Sequence, residues 1–453
     1  MKTERWSSRA TFLFATIGCA VGLGNLWRFP YIAGENGGGA FVLVYLGFVL
    51  MAGIPLIMAE LAMARRGRSN PVATTAAISH QESGHRRWQL IGWLSILAPL
   101  LGLSFYGVVA GWSLEYLLLA ASDRFTGINP GQAAALFDDV LGAPGRMLFW
   151  FSLVIVSVAA VVGSGVRRGI EAASNIMMPA LFILLLGLAG YACMVGDASA
   201  AASFLFKPDF SSLTAQGVLM AFGQCLFSLA VGTGAMLAYG AYLPPETSIP
   251  GAAWIIGLAD TAASILAGML IFPIVFSSGL DPGEGPGLIF VTLPIAFSDM
   301  PGGQIFGSLF FLLVFFAAYT SALGMMEPFV SWLEDRPRWN RRRAAMLTAA
   351  VVWFLGLAAV FSFNLWKNFT PLDMIPQMQG RTVFSILDYL VSNLILPINA
   401  LMIALIAGWA IASARMRKDI GIQSDVSWAV WQFSIRFLAP ATILCMFIAN
   451  LLE

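Results

Sequence analysis

Two apolar stretches far apart in this chain are interrupted by nearly the same glycine-rich phrase. The first reads Ala20-Val21-Gly22-Leu23-Gly24, the second Ala230-Val231-Gly232-Thr233-Gly234. Each phrase sits inside a run long and apolar enough to cross a bilayer. Glycine costs about 1 kcal/mol against alanine in a helix, so paired glycines invite a break. A break frees backbone carbonyls and amides, which lipid tolerates only where they line a cavity or bind something. Close packing of small residues between helices would account for one such cluster but poorly for two matched ones. Matched interruptions in two halves of a membrane protein point to the binding site of a transporter.

Composition supports the membrane reading. Of 453 residues, 58% are hydrophobic and only 11% are charged, and the mean hydropathy is +0.80. A soluble chain would carry about twice that charge. The net charge of +1 offers no bulk field for nucleic acid, which is not expected as a partner. The cysteines Cys19, Cys193, Cys225 and Cys445 fall in apolar segments, without disulfide or metal spacing. Lys2, Arg5 and Arg9 before an apolar run imitate a signal peptide. That run continues through Trp27-Arg28-Phe29-Pro30, and cleavage would discard half of the matched pair, so it reads as a membrane span.

Eleven spans are expected, at roughly 10–35, 40–64, 89–120, 147–165, 169–195, 215–243, 252–277, 303–333, 344–364, 382–412 and 427–450. The N-terminus and the loops after spans two, four, eight and ten hold three, five, two, five and three Lys or Arg residues. The opposite side holds only Arg124, Arg146, Lys207, Lys367 and Arg381. This asymmetry predicts a cytoplasmic N-terminus, with Glu453 outside, in a cell (inner) membrane. The phrases lie in spans one and six. Five spans followed by five more make an inverted repeat, about 10–195 and 215–412, with span 427–450 left over. The expected fold class is an all-α polytopic membrane protein, a single transporter domain over 1–453. The loop Gly279 to Asp299, with Pro282-Gly283-Glu284-Gly285-Pro286-Gly287, is long enough to fold over a cavity or to remain solvated.

No G-x-x-x-x-G-K-[ST] phrase is present, so ATP is not expected to drive the chain. His80 and His85 sit in a basic loop, no cluster suits a zinc enzyme, and no enzyme activity is expected. An ion-coupled carrier or a channel remains. Ionisable residues inside spans are costly and usually functional. They are Arg28, Glu60, Glu115, Glu171, Asp260, Glu327, Asp388 and Arg436; Glu115, Glu327 and Arg436 also fit snorkelling or helix-pairing roles. Asn25, Ser228, Thr320 and Ser321 add oxygens near the breaks, as a hard cation requires, without choosing between sodium, potassium and a proton.

At Gly22-Leu23-Gly24-Asn25-Leu26-Trp27-Arg28-Phe29-Pro30, followed by Glu35-Asn36-Gly37-Gly38-Gly39-Ala40-Phe41, the chain resembles the neurotransmitter:sodium symporter family. Gly53-Ile54-Pro55 with Glu60, Gln224 to Gly234, Thr320-Ser321 and Asp388 extend the resemblance over essentially the whole chain, in the pattern of the eleven-span bacterial branch. The resemblance implies two sodium sites. One would use the carbonyls of Gly18, Val21 and Ala317 with the hydroxyls of Thr320 and Ser321. The other would use the Ala20 carbonyl, Asn25, Ser228, Asp260 and the substrate's carboxylate. Substrate would lie against the span-one break at Ala20, Gly22 and Gly24, with Tyr106 bonding its carboxylate and Phe227 covering it. Gly102, Ala230, Thr233 and Met325 would line the side-chain pocket.

The same resemblance implies an outer gate of Arg28 with Asp388. It implies an inner gate of Asp335 with a basic residue near Trp6, where Thr3 occupies the family's arginine position and Lys2 or Arg5 would substitute. Tyr242 and Glu60 would support the inner gate and the span-one break. Gly169 and Pro179 in span five would either unwind or form a static kink. Chloride-dependent relatives have asparagine at position 260; the other chloride contacts would be Tyr45, Gln224, Ser228 and Ser264, and an ionised Asp260 opposes a second buried anion. The implied activity is sodium-coupled symport of hydrophobic, including aromatic, L-amino acids, with two sodium ions and no chloride required. A sodium-coupled betaine-type osmolyte carrier and an ion-conducting channel on the same scaffold are the alternatives; saturable, sodium-stimulated uptake separates carrier from channel.

Overall fold

The computed structural model describes residues 5–82, 84–280 and 287–452. Lys2, positions 281–286 of the outer loop and Glu453 lie outside them. Among the described residues, the regular elements are all helices. Nine are long and apolar enough to cross a membrane: Gly39–Gly67, Arg86–Ala121, Pro144–Gly163, Val166–Val195, Ile249–Ser277, Gly303–Glu334, Arg341–Phe361, Val383–Ala410 and Asp425–Ala449. These are spans two to five and seven to eleven. Span one is a bent pair, Arg9–Ala20 and Gly24–Glu35, turning by 48° between its halves. Span six is likewise two pieces, Ala215–Ser228 and Ala235–Ala241. The two breaks fall on the two glycine phrases, in the first helix of each five-span half.

Local chemistry explains both breaks. After Ala20 the chain leaves the helix at Val21, with φ −71° and ψ 101°. In span six, Ala230, Gly232 and Gly234 take φ of +52°, +78° and +79°, a left-handed alternation that no α-helix accommodates. Side chains cap the pieces: Ser8 accepts from Thr11 N–H at 3.2 Å, and Thr214 from Gly217 N–H at 3.0 Å. Spans three and eight are the most buried, and spans four, five and eleven the least. The breaks therefore lie at the centre of the bundle, away from lipid.

Span five is wound throughout. A wide π turn, Val166–Glu171, leads into an α-helix, Ala172–Val195, that runs unbroken through Pro179. The described part of the outer loop folds inward as Leu288–Thr292 and Leu293–Asp299. Phe290 is buried there, stacked on Phe137 at 5.5 Å and edge-on to Trp112 and Tyr116. Of the residues assigned snorkelling or helix-pairing roles, Glu115 pairs with Arg146 at 3.4 Å, and Arg436 donates to the Gly408 carbonyl at 2.6 Å. Glu327 instead belongs to a buried network described below.

Candidate functional site

The span-one break is held by its own Asn25 and by side chains from spans three and six. Gly22 N–H donates to Asn25 Oδ1 at 2.9 Å, and Leu23 N–H donates to the Tyr106 hydroxyl at 3.1 Å. Gln224 Nε2 donates to the Gly24 carbonyl at 2.7 Å. No side chain fits at Gly22: a Cβ there would lie 2.4 Å from Ser321 Oγ and 2.7 Å from Tyr106 OH.

The span-six break is gripped at one peptide. Gly232 N–H donates to Glu60 Oε1 at 2.8 Å, and the Gly232 carbonyl accepts from Asn399 Nδ2 at 2.7 Å. Asn399 also donates to Ser95 Oγ at 2.9 Å. Thr233 hydroxyl donates to the Ala230 carbonyl at 2.7 Å and accepts from Ala235 N–H at 3.2 Å, starting the inner half-helix. Glu60 was expected to support the span-one break; its hydrogen bond goes to the break in span six. Span two passes Gly232 at the level of Glu60, which places the carboxylate beside a freed amide. Asn399 and Ser95 were missed by the sequence reading. The available signal was an amide within the apolar run of span ten, which also holds Asn393.

Ala20, Gly22, Gly24, Gly102, Tyr106, Phe227, Ala230, Thr233 and Met325 all line one pocket. Cys19, Ala98, Pro99, Phe105, Ser321, Val391 and Leu396 complete its wall. The enclosed space is about 30 Å³, close to the room of one water. Val391 and Met325 close in on Gly102, where a Cβ would lie 3.8 Å from Val391 Cγ1 and 3.9 Å from Met325 Cε. A large side chain entering here has to displace the flexible Met325.

Beside the pocket lies a buried oxygen cluster. Asn25 Nδ2 is 2.9 Å from Ser228 Oγ, 3.0 Å from the Asp260 carbonyl, 2.8 Å from Asp260 Oδ1 and 2.9 Å from Ser264 Oγ. Four acceptors exceed the two hydrogens that an amide nitrogen carries. Such a set of hard oxygens suits a cation such as sodium. Ser228 donates to Asp260 Oδ2 at 2.7 Å and Tyr45 to the same oxygen at 3.1 Å.

The other expected ion site brings span one against span eight. Ser321 donates to the Gly18 carbonyl at 3.3 Å, and Thr320 to the carbonyls of Phe316 at 2.9 Å and Ala317 at 3.2 Å. A Cβ at Gly18 would stand 3.1 Å from Thr320 Cβ, so the absence of a side chain permits this approach. Val21, extended just past the last turn, sits at the end of this seam.

The two gates differ from expectation. Arg28 and Asp388 line one outer cavity of about 390 Å³ but form no ion pair among the described residues. The Arg28 guanidinium lies 4.6 Å over the Phe227 ring, and Asp388 accepts from the Ser392 hydroxyl at 3.0 Å. On the inner side Trp6 is buried and donates from Nε1 to the Tyr239 carbonyl at 3.0 Å, with its ring edge-on to Tyr239 and Tyr242. Tyr242 hydroxyl donates to Glu327 Oε1 at 2.9 Å, and Glu327 forms a buried ion pair with Arg341. Arg341 also reaches Glu334 at 3.0 Å and the Val162 carbonyl at 2.8 Å. Asp335 pairs with no basic residue among the described ones: it accepts from Ser69 Oγ at 3.1 Å and Asn70 Nδ2 at 2.6 Å. The N-terminal segment that carries Arg5 is tied instead to span five. There Arg167 Nε donates to the Arg5 carbonyl at 2.7 Å and Ser7 N–H to Glu171 at 3.0 Å.

The model of the sodium:neurotransmitter symporter family matches residues 3–127 and 132–453. The chain is 34% identical over 450 residues to an uncharacterised sodium-dependent transporter, YhdH, of Bacillus subtilis (strain 168), spanning 99% of this chain and 97% of that protein. It is 25% identical over 508 residues to the sodium-dependent dopamine transporter of Bos taurus, spanning 99% of this chain and 69% of that protein. Among solved structures, the crystal structure of MhsT in complex with L-phenylalanine matches at a TM-score of 0.90 and 37% identity, over 99% of both chains.

Proposed function

We propose that this chain, which belongs to the sodium:neurotransmitter symporter family and is a sodium-dependent, multi-pass membrane symporter, carries hydrophobic and aromatic L-amino acids by alternating access without needing chloride. The observation that carries this reading is the convergence of nine pocket residues from spans one, three, six and eight on one apolar space beside the Asp260 oxygen cluster. The amides freed at the span-one break offer a positive end to a substrate carboxylate. Gly22 leaves no room for the carboxylate that would pair with a decarboxylated amine. The likeness to MhsT, solved with L-phenylalanine, supports an aromatic substrate.

Two sodium ions are assigned as co-substrates. One is held by Asn25, Ser228, Asp260 and the Ala20 carbonyl, the other by Gly18, Val21, Ala317, Thr320 and Ser321. A carboxylate that ligates the first ion makes each bind better with the other. Chloride independence rests on Asp260. Ser228 and Tyr45, two donors that a chloride would need, both point at its Oδ2. Arg28 and Asp388 close the outer side, while Trp6, Tyr242, Glu327 and Arg341 close the inner one, with Asp335 and Glu60 as supports. The Lys and Arg asymmetry supports an N-terminus on the cytoplasmic side of a cell membrane and a C-terminus outside. Residues 1–453 act as one transporter domain.

The test is uptake of labelled phenylalanine into proteoliposomes under a sodium gradient. Saturable uptake, with leucine and tryptophan competing better than betaine or tyramine, is expected. Replacing chloride by gluconate should leave the wild type unchanged and should disable Asp260→Asn or make it respond to chloride. Strong chloride dependence in the wild type overturns the role of Asp260; better competition by betaine or tyramine overturns the substrate class.

A further inference from the structure

Spans four and nine, Pro144–Gly163 and Arg341–Phe361, pack along their length, with Trp353 Nε1 donating to Ser152 Oγ at 2.8 Å, and leave a groove along their exposed side. Near one end a Cβ on Gly163 would lie 3.3 Å from Ala345 Cβ and 3.6 Å from Arg342 Cα. Towards the other end, a Cβ on Gly356 would meet the Phe151 ring at 2.1 Å. Between the two contacts runs a groove of about 720 Å³. Ala159, Ala160, Ala349 and Ala350 keep its floor shallow, and Trp353 and Phe354 wall off its far end. Val156, Met346 and Phe354 are exposed along it, so it opens towards the lipid.

The groove extends from Ile155 to Ser164, ten residues, or about 14 Å of helix. That is about half of a ~30 Å hydrocarbon core, the depth of one leaflet. Arg342 marks its mouth, on the side that the Lys and Arg count assigns to the cytoplasm. The neighbouring Arg341 turns inward to Glu327, but Arg342 is exposed and has no ion pair among the described residues. Neither helix carries an Asp or Glu, while Glu334 at the end of span eight pairs with Arg341. A guanidinium fork binds phosphate in two parallel hydrogen bonds, and basic pockets between spans on the cytoplasmic side hold acidic head groups.

We infer that this groove seats one phospholipid with an anionic head group, its acyl chain between spans four and nine and its phosphate on Arg342. The site is separate from the pocket at the helix breaks and does not depend on the identity of the transported solute. Native mass spectrometry of the detergent-purified protein tests it, with phosphatidylglycerol or phosphatidylcholine of identical chains added. The wild type should retain one phosphatidylglycerol in at least tenfold preference. Arg342→Gln should lose that preference, and Ala350→Trp, which fills the groove from an exposed position, should lose retention itself. Equal retention of the two lipids by the wild type, or an undiminished preference in both variants, overturns the assignment. So does equal stabilisation by inorganic phosphate alone, which would mean a free anion seat, or a dimer that buries Met346, which would put a second copy in the groove.

Discussion

At the scale of single residues, the proposed substrate pocket is narrowest where Gly102 faces Val391 and Met325. A Cβ at position 102 makes only ordinary contacts, at 3.8 to 4.0 Å, so Gly102→Val should fold and bind with a narrower pocket. Competition against labelled leucine should show tryptophan losing affinity first, by the roughly 1–3 kcal/mol that hydrophobic pockets discriminate. Equal loss of both substrates would detach Gly102 from the side-chain pocket. Thr320→Ala and Ser321→Ala each delete a hydroxyl from the seam between spans one and eight. Both should raise the sodium concentration for half-maximal substrate binding several-fold while melting temperature shifts little; an unchanged sodium dependence in both rejects this ion site. The resemblance pointed to these residues, and the structure puts Gly102 on the pocket wall and Thr320 and Ser321 on the seam between spans one and eight. The partner of Asp335 was not legible in the sequence, because it depends on where an N-terminal segment is pulled. Ser7 and Trp6 anchor that segment to Glu171 and Tyr239, which takes Arg5 elsewhere.

At the scale of elements, the long spans were legible almost to their ends, because crossing a bilayer demands a length of apolar sequence that composition reveals. Short helices outside the spans, such as Pro71–Glu82 and Pro130–Gly142, leave no such trace. Neither do the π turns at Val166–Glu171 and Leu390–Ile395, which change winding without changing hydropathy. The breaks were legible as glycines, but what holds them open was not. Glu60 of span two and Asn399 of span ten take the two sides of the Gly232 peptide. Glu60→Ala would strand a buried N–H, a cost of about 1–3 kcal/mol, whereas Glu60→Gln keeps a carbonyl to accept from it. Thermal unfolding should therefore show the alanine variant melting clearly below the glutamine variant. Coincident melting curves would mean that this hydrogen bond does not support the break.

At the scale of the whole molecule, the inner face is laced across distant parts of the chain. Glu82, at the end of a helix outside the spans, pairs with Arg66 at the foot of span two and with Arg415 beyond span ten. Burial pushes its carboxyl up, but hydrogen bonds from Arg66 and Arg415 outweigh this and hold it below the ordinary carboxylate value. A lowered folded value means that the junction stabilises the protein above the unfolded glutamate pKa of about 4.3 and loses that contribution as pH falls through the folded value. Melting temperatures measured from pH 7 down to about 2 should thus fall more steeply for the wild type than for Glu82→Gln, whose side chain does not titrate, with the difference opening below about pH 5. Parallel profiles would show that the junction adds nothing. The inner side is closed by Trp6, Tyr242, Glu327 and Arg341, while Arg28 and Asp388 stand apart across an outer cavity. The two ends of the bundle thus differ, which is the asymmetry that the proposed alternating-access cycle needs in one of its halves.

On the proposed chloride-independent cycle, the carboxylate at Asp260 has an electrical consequence. A chloride carried beside sodium would cancel part of the charge moved in each turnover, but a side chain stays with the protein. With a zwitterionic amino acid as cargo, every sodium ion that crosses then counts in full against the membrane voltage. Each such charge is worth about 2.3 kcal/mol per 100 mV. An energised membrane would pull the cargo inward even where the sodium gradient itself is shallow.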